Sequence, residues 1–330
     1  MRNAIKHRLF QENVHFMSEL SNLPQLEQLA ALFIKEQRRK RRWGIFFKSI
    51  YLLLIIGLLF LFLPDRSENT YKKGKLHVAV IDVQGPIFAM APASAKNINE
   101  ALDDAFENKN TIGVILNINS PGGSPVQASD IYNHIHYLRK EHPKIGIDAV
   151  CADVCASGSY FVAAAADKIY ANPASLIGSI GVIMEGFGFV DTLQKIGASR
   201  RVVISGDNKD FMDPFQPVKP ADQAMAQQLV DTVHTQFIMA VKNGRGNRLK
   251  SDPNLFSGAV WTGAGALPIG LIDGFGNVDS VAKKEFKTKD LVNYTISPSF
   301  FDAFTTMMSK NLATEFGKTL GVDGQGLQLR

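Results

Sequence analysis

The residues best suited to chemistry lie in the run Cys151-Ala152-Asp153-Val154-Cys155-Ala156-Ser157-Gly158-Ser159-Tyr160, which passes into an alanine-rich stretch ending at Ala166. Its centre, Ala156 to Tyr160, sets a hydroxyl among small side chains where an apolar, strand-like run (Ile145 to Val150) gives way to a helix. A serine so placed can act as a nucleophile in acyl transfer. Small neighbours admit a substrate backbone, and the free N–H groups and positive dipole end of the helix favour negative charge developing nearby. The same serine could equally be a plain helix N-cap, and the pentapeptide alone leaves both readings open. A second turn, Ser120-Pro121-Gly122-Gly123, closes another apolar strand. Paired glycines reach positive φ and present bare N–H groups, as an oxyanion requires, although ordinary strand-to-helix turns use the same residues.

A serine nucleophile needs a base, and histidine, the usual one, does not occur between Ser157 and His234. His134 and His136, two apart on a predicted helix, point in different directions and make a poor metal pair. His77 and His142 fall at strand and loop edges. Lysine can replace histidine once desolvation has made it neutral. In Ser205-Gly206-Asp207-Asn208-Lys209-Asp210-Phe211-Met212, Lys209 adjoins apolar side chains, with a solvated surface lysine as the competing reading. Lys168 and Lys195 carry only that second reading. No cofactor or metal site is legible.

These residues need a scaffold, and the pattern around them predicts one. Strand-like runs at 76–83, 111–118, 144–150, 168–171 and 201–205 alternate with helices near 93–107, 126–140, 190–196 and 220–243, with an apolar segment at 176–184. Such alternation implies an α/β core with right-handed crossovers and largely parallel pairing. Cys151 and Cys155 read as two buried thiols rather than a disulfide.

Charge is unevenly placed. Residues 1–42 hold nine Lys/Arg and four Glu, whereas the rest of the chain holds 27 of each sign, so the net charge of +5 belongs to this arm and the body is neutral. That distribution argues against a nucleic-acid groove. After the basic run 35–42 and Trp43, residues 45–63 are apolar apart from Lys48, Ser49 and Tyr51, and 19 helical residues just cross a bilayer core. The preceding arm is too long for a cleaved signal peptide, and no small-x-small site precedes Pro64. The reading is a cytoplasmic arm (1–44), one transmembrane helix (45–63), a linker (64–74) and an extracytoplasmic domain (75–330) with a loose tail from about 315.

Several ordered motifs then carry a resemblance: Asn119 to Gly123; Ala156-Ser157-Gly158; Ala165-Ala166-Asp167-Lys168-Ile169; Gly178-Ser179-Ile180-Gly181-Val182; Ser205-Gly206 with Lys209-Asp210; Gly244-Arg245-Gly246; and Val260-Trp261-Thr262-Gly263 through Gly270-Leu271-Ile272-Asp273. Over roughly Lys75 to Lys284 the chain resembles the signal peptide peptidase (protease IV) family, in its short, single-domain bacterial form. These are membrane-anchored serine proteases with a Ser-Lys dyad on the ClpP/crotonase fold, a core of repeated ββα units. The resemblance implies Ser157 as nucleophile, Lys209 as general base, Ser179 as the hydroxyl orienting the lysine, and the N–H groups of Gly123 and Gly158 as oxyanion donors. It implies no cofactor, a homo-oligomer whose dyad is shared between neighbouring subunits, apolar signal-peptide remnants as substrates, and a place in the inner or plasma membrane. Ser159 departs from the pattern, since the family usually has glycine there, and its side chain is expected to narrow the cleft. A membrane-protein quality-control protease, a silent membrane scaffold and a crotonase-like acyl-CoA enzyme are the alternatives.

Overall fold

Apolar residues that alternate along three central strands build a mostly parallel sheet in the computed structural model, which describes residues 32–57 and 75–296. Residues 32–57 form helix α1, every residue of it exposed. Among the described residues no helix is long and apolar enough to cross a membrane. Residues 58–63 of the expected anchor, the linker 64–74, residues 1–31 of the arm and the tail lie outside the described residues.

The body runs β1 (His77–Gln84), α2 (Ala95–Glu107), β2 (Thr111–Ser120), α3 (Pro125–Glu141), β3 (Gly146–Ala156), α4 (Gly158–Ala163), β4 (Lys168–Ala171), β5 (Leu176–Gly178) and α5 (Val190–Lys195). It continues through the long α6 (Pro220–Arg245), β6 (Val260–Thr262), α7 (Gly263–Ala266), β7 (Gly274–Phe275), α8 (Val278–Glu285) and β8 (Leu291–Asn293). The sheet order is β6-β5-β3-β2-β1-β8, with β4 pairing β3 and β7, and among the described strands only β5 with β6 is antiparallel. Its two faces are sorted by residue parity, as a pleated strand requires. Ala79, Ile81 and Val83 of β1, Val114, Leu116 and Ile118 of β2, and Ile147, Ala149 and Cys151 of β3 face the main core. There they meet Ile98 and Leu102 of α2, Ile131 and Ile135 of α3, Phe161 of α4 and Val241 of α6. The opposite parity, Val78, Ile115 and Val150, packs on Val281 and Ala282 of α8 and on Tyr170. Each fully buried Leu, Ile or Phe contributes about 1.5–3 kcal/mol.

Helices start where capping chemistry allows. Ser94 accepts the Asn97 N–H, and Ser124 accepts the Gln127 N–H ahead of Pro125 at the first helical position. The long α6 ends at Arg245, whose buried guanidinium donates to the Gly270 carbonyl (3.0 Å) and pairs with Asp273 (2.7 Å). Asp273 Oδ2 in turn accepts the Ile169 N–H at 2.7 Å, so one ion pair ties α6 to the start of β4.

Two expectations about strands need correction. β3 does not stop at Val150 but continues to Ala156, because it has two successive partners: Asp148 to Cys151 pair with β4, then Val154 to Ala156 pair with β5. Against β2 the register passes from Ile118–Cys151 to Ser120–Cys155, leaving extra residues on β3 that bulge and re-aim its end. The predicted strand at 201–205 carries no ladder pairing among the described residues, and its Val203 is 100% exposed.

Candidate active site

The β3 bulge delivers Ser157 to a turn at the mouth of the sheet. Its N–H donates to the Gly178 carbonyl (2.8 Å), which fixes the backbone beside β5. Ser157 has φ 56° and ψ −128°, a region that L-residues rarely occupy and that costs about 1–3 kcal/mol. It holds the N-cap position of α4 but makes no capping hydrogen bond. The plain-cap reading of this serine therefore does not describe it.

Beside it, the turn after β2 has Gly122 at φ 94° and Gly123 at φ 154°. The Gly122 carbonyl accepts the Ile87 N–H and the Ile87 carbonyl accepts the Ser124 N–H, both at 2.9 Å, so the β1–α2 loop grips Gly123 from one side. From the other side a Cβ on Gly122 would lie 2.5 Å from Gly158 N, 2.8 Å from the Ala156 oxygen and 2.8 Å from Ser157 Cβ. A Cβ on Gly158 would lie 3.2 Å from Gly123 N. The two peptides thus abut, and only glycine permits this approach. Neither the Gly123 nor the Gly158 N–H enters a backbone hydrogen bond among the described residues.

Ser157, Ser179, Gly123 and Gly158 together line a cavity of about 400 Å³. Its remaining walls are largely apolar, with Phe161 of α4, Val182 and Ile183 after β5, and Val233 and Phe237 of α6. Ser179, like Ser157, is a non-glycine residue at positive φ (50°), held by its N–H to the Ala259 carbonyl at 2.7 Å. Four of the five anticipated site residues are therefore gathered at one place. The fifth is not: Lys209 is exposed in the turn 205–212, its N–H bonded to the Gly206 carbonyl, and the cavity lining contains neither lysine nor histidine.

Other anticipated features fall elsewhere. His134 pairs with Asp103 at 2.8 Å, and His136 packs against the Tyr132 ring. No group of three or more His, Cys, Asp or Glu suited to a metal occurs among the described residues. Cys151 and Cys155 are both free and buried, and burial raises the Cys151 thiol pKa well above its ordinary value, with Cys155 adding to the rise. The expectation for Ser159 is overturned. Its side chain is fully buried, turned away from the cavity, and hydrogen-bonded to two backbone carbonyls.

A serine on a strained strand-to-helix turn, beside two glycine N–H groups and an apolar cavity, is an arrangement in an α/β protein that acyl transfer could use. Residues 139–292 match the model of peptidase family S49. A Synechocystis protein named provisionally as a protease is 33% identical over 210 residues, 64% of this chain and 72% of that protein. The chain belongs to peptidase family S49. A provisionally named signal peptide peptidase of Enterococcus faecium is 26% identical over 289 residues, 78% of this chain and 83% of that protein. A Brucella abortus protein named Na(+)/H(+) antiporter NhaA is 40% identical over 238 residues; the match covers 71% of this chain but only 32% of that protein.

Proposed function

We propose that the protein is a serine endopeptidase in which Ser157 attacks a peptide carbonyl. The observation that carries this is Ser157 itself: a strained residue whose hydroxyl is not used as a cap, at the edge of an apolar cavity and beside abutting glycine N–H groups. Ser157 Oγ gives its proton to a lysine amine acting as base and bonds to the carbonyl carbon. The Gly123 and Gly158 N–H groups receive the oxyanion, the amine leaves with the proton, and water then releases the acyl group. A single oxyanion donor is typically worth about 3–4 kcal/mol.

Lys209 remains the assigned base, with Ser179 orienting its amine. Because Lys209 does not line the cavity of its own chain, we assign it to the cavity of a neighbouring copy in a homo-oligomer. Exposed apolar side chains favour such an assembly: Ile183, which lines the cavity, and Phe187 are each 76% exposed and Val203 wholly so. The fold reading is of the ClpP/crotonase type, which the parallel sheet and glycine turn suit. The substrates are apolar segments such as signal-peptide remnants, in keeping with the apolar cavity. Residues 45–63 are read as a bilayer anchor, with the arm cytoplasmic and the peptidase domain extracytoplasmic; their first part, 45–57, is helical with an exposed apolar surface.

The test uses the full chain in detergent micelles and an apolar fluorogenic peptide. Wild type is expected to cleave, Ser157→Ala and Lys209→Ala to be inactive, and a re-assembled mixture of the two variants to recover part of the wild-type rate. Inactive variants with no recovery would place the lysine within its own subunit. An active Lys209→Ala would remove it as the base.

A further inference from the structure

We infer that Ser159 is a positioning residue, one that locks the oxyanion turn to the nucleophile turn; the inference rests on the peptidase reading of Ser157. Ser159 is the second residue of α4 and is fully buried. Its Oγ–H lies 2.7 Å from the Ser120 carbonyl, the last residue of β2, and 2.8 Å from the Ala156 carbonyl, the last residue of β3. One hydroxyl proton is thus shared between the ends of the two strands that carry the two halves of the site.

The link continues into the glycine turn. Ser120 Oγ accepts the Gly122 N–H at 3.1 Å, so Ser120 is held by Ser159 through its carbonyl while its own hydroxyl holds the Pro121–Gly122 peptide, one residue before the Gly123 N–H. On the far side Ile87 grips the same turn through two 2.9 Å hydrogen bonds. Without the Ser159 hydroxyl, the turn keeps its Ile87 bonds and the Ser120–Cys155 ladder pairing but loses the side-chain tie that joins the Ser120 and Ala156 carbonyls. The two N–H groups that would receive an oxyanion belong to opposite partners of that tie, Gly123 to the β2 turn and Gly158 to the β3 turn. Such donors must be held at hydrogen-bond distance from the developing charge, and a displacement of a few tenths of an ångström weakens them. The ground-state substrate gains little from this alignment, so loss of the hydroxyl acts on kcat and leaves KM in place.

The experiment compares wild type, Ser159→Ala and Ser159→Gly as full chains, the glycine variant serving if alanine impairs folding. Three quantities are read: kcat and KM on an apolar peptide, Ki for a peptide aldehyde that forms a tetrahedral adduct, and amide hydrogen exchange across residues 120–124. The expected result is a fall in kcat of about tenfold, as removal of one buried hydrogen bond implies. KM stays within twofold, the aldehyde Ki rises in parallel with the fall in kcat, and exchange at 120–124 speeds up. Unchanged kcat and Ki would overturn the inference, as would a rise in KM alone, which is the signature of a cleft-lining side chain. Failure of the peptidase reading appears separately, as full activity in Ser157→Ala. In that event the exchange rate decides whether Ser159 positions the turn, and unaltered exchange overturns it.

Discussion

Asp148→Asn is expected to make the protein more stable, by an amount that grows from about pH 4 to about pH 7 and is constant above. Asp148 lies on β3 eight residues before Ala156, on the face that packs against α8, and is 4% exposed. Burial pushes its carboxyl from the ordinary 3.8 up to about 7, and the Glu285 carboxylate adds to the rise while Lys168 opposes it. Glu285 is itself held by Lys168 (2.5 Å) and by the Tyr170 hydroxyl (2.6 Å), so the strongest local cation is already engaged. Between these two pH values the folded state binds a proton that the unfolded chain has lost. Stability therefore falls as pH rises from about 4 to about 7 and levels off above. At about 1.4 kcal/mol per pH unit the full loss approaches 4 kcal/mol, a ceiling that relaxation of the site lowers. Asparagine keeps the shape and carries no charge. Urea unfolding of both proteins at pH 5, 6, 7 and 8 should show a gap of about 1–2 kcal/mol at pH 5 that widens to a plateau above pH 7. His136 acts in the opposite sense: burial and the Arg139 guanidinium lower its pKa, so its contribution is lost as pH falls, which is why the difference between the two proteins is the quantity to follow. A gap that stays constant from pH 5 to pH 8 would refute the reasoning, since Asp148 would then ionise in the fold as it does in the open chain.

Ser157→Gly relieves the positive φ and should raise stability by about 1 kcal/mol, measured by urea unfolding, while abolishing cleavage; a loss of stability would show that φ 56° is not strained. Gly244→Ala places a Cβ 1.8 Å from the Ala164 carbonyl, where α6 crosses the end of α4. It should destabilise by about 3 kcal/mol or more, beyond the usual range of a surface substitution. Cys151 and Cys155 should resist a thiol reagent in the native protein and yield two thiols per chain once unfolded; fewer than two would mean they pair.

The parallel core was readable because β1, β2 and the first half of β3 are apolar runs separated by helix-forming segments. Ser157, Ser179, Gly123 and Gly158, singled out in the sequence, do line one cavity, while their catalytic roles rest on the proposal. What escaped reading depends on distant partners. The extension of β3 past Val150 requires β5 to take over where β4 ends, a fact held in residues 176–178 and not in 151–156. Arg201-Val202-Val203-Ile204 has the composition of a strand but no strand partner among the described residues, so its propensity goes unrealised there. Ser159, two residues after Ser157, was expected in the cleft. The first turn of α4 instead rotates it inward to the carbonyls of Ser120 and Ala156, an orientation that sequence spacing alone did not reveal.

The most direct test of the central claim is to trap the acyl-enzyme. The full chain is mixed with an activated ester of an apolar peptide, quenched in acid within the first turnover, digested and mapped by mass spectrometry. The account predicts an acyl group on Ser157, formed as the ester alcohol departs, and none in Ser157→Ala. An acyl group on another residue, or turnover without any covalent adduct, would contradict it.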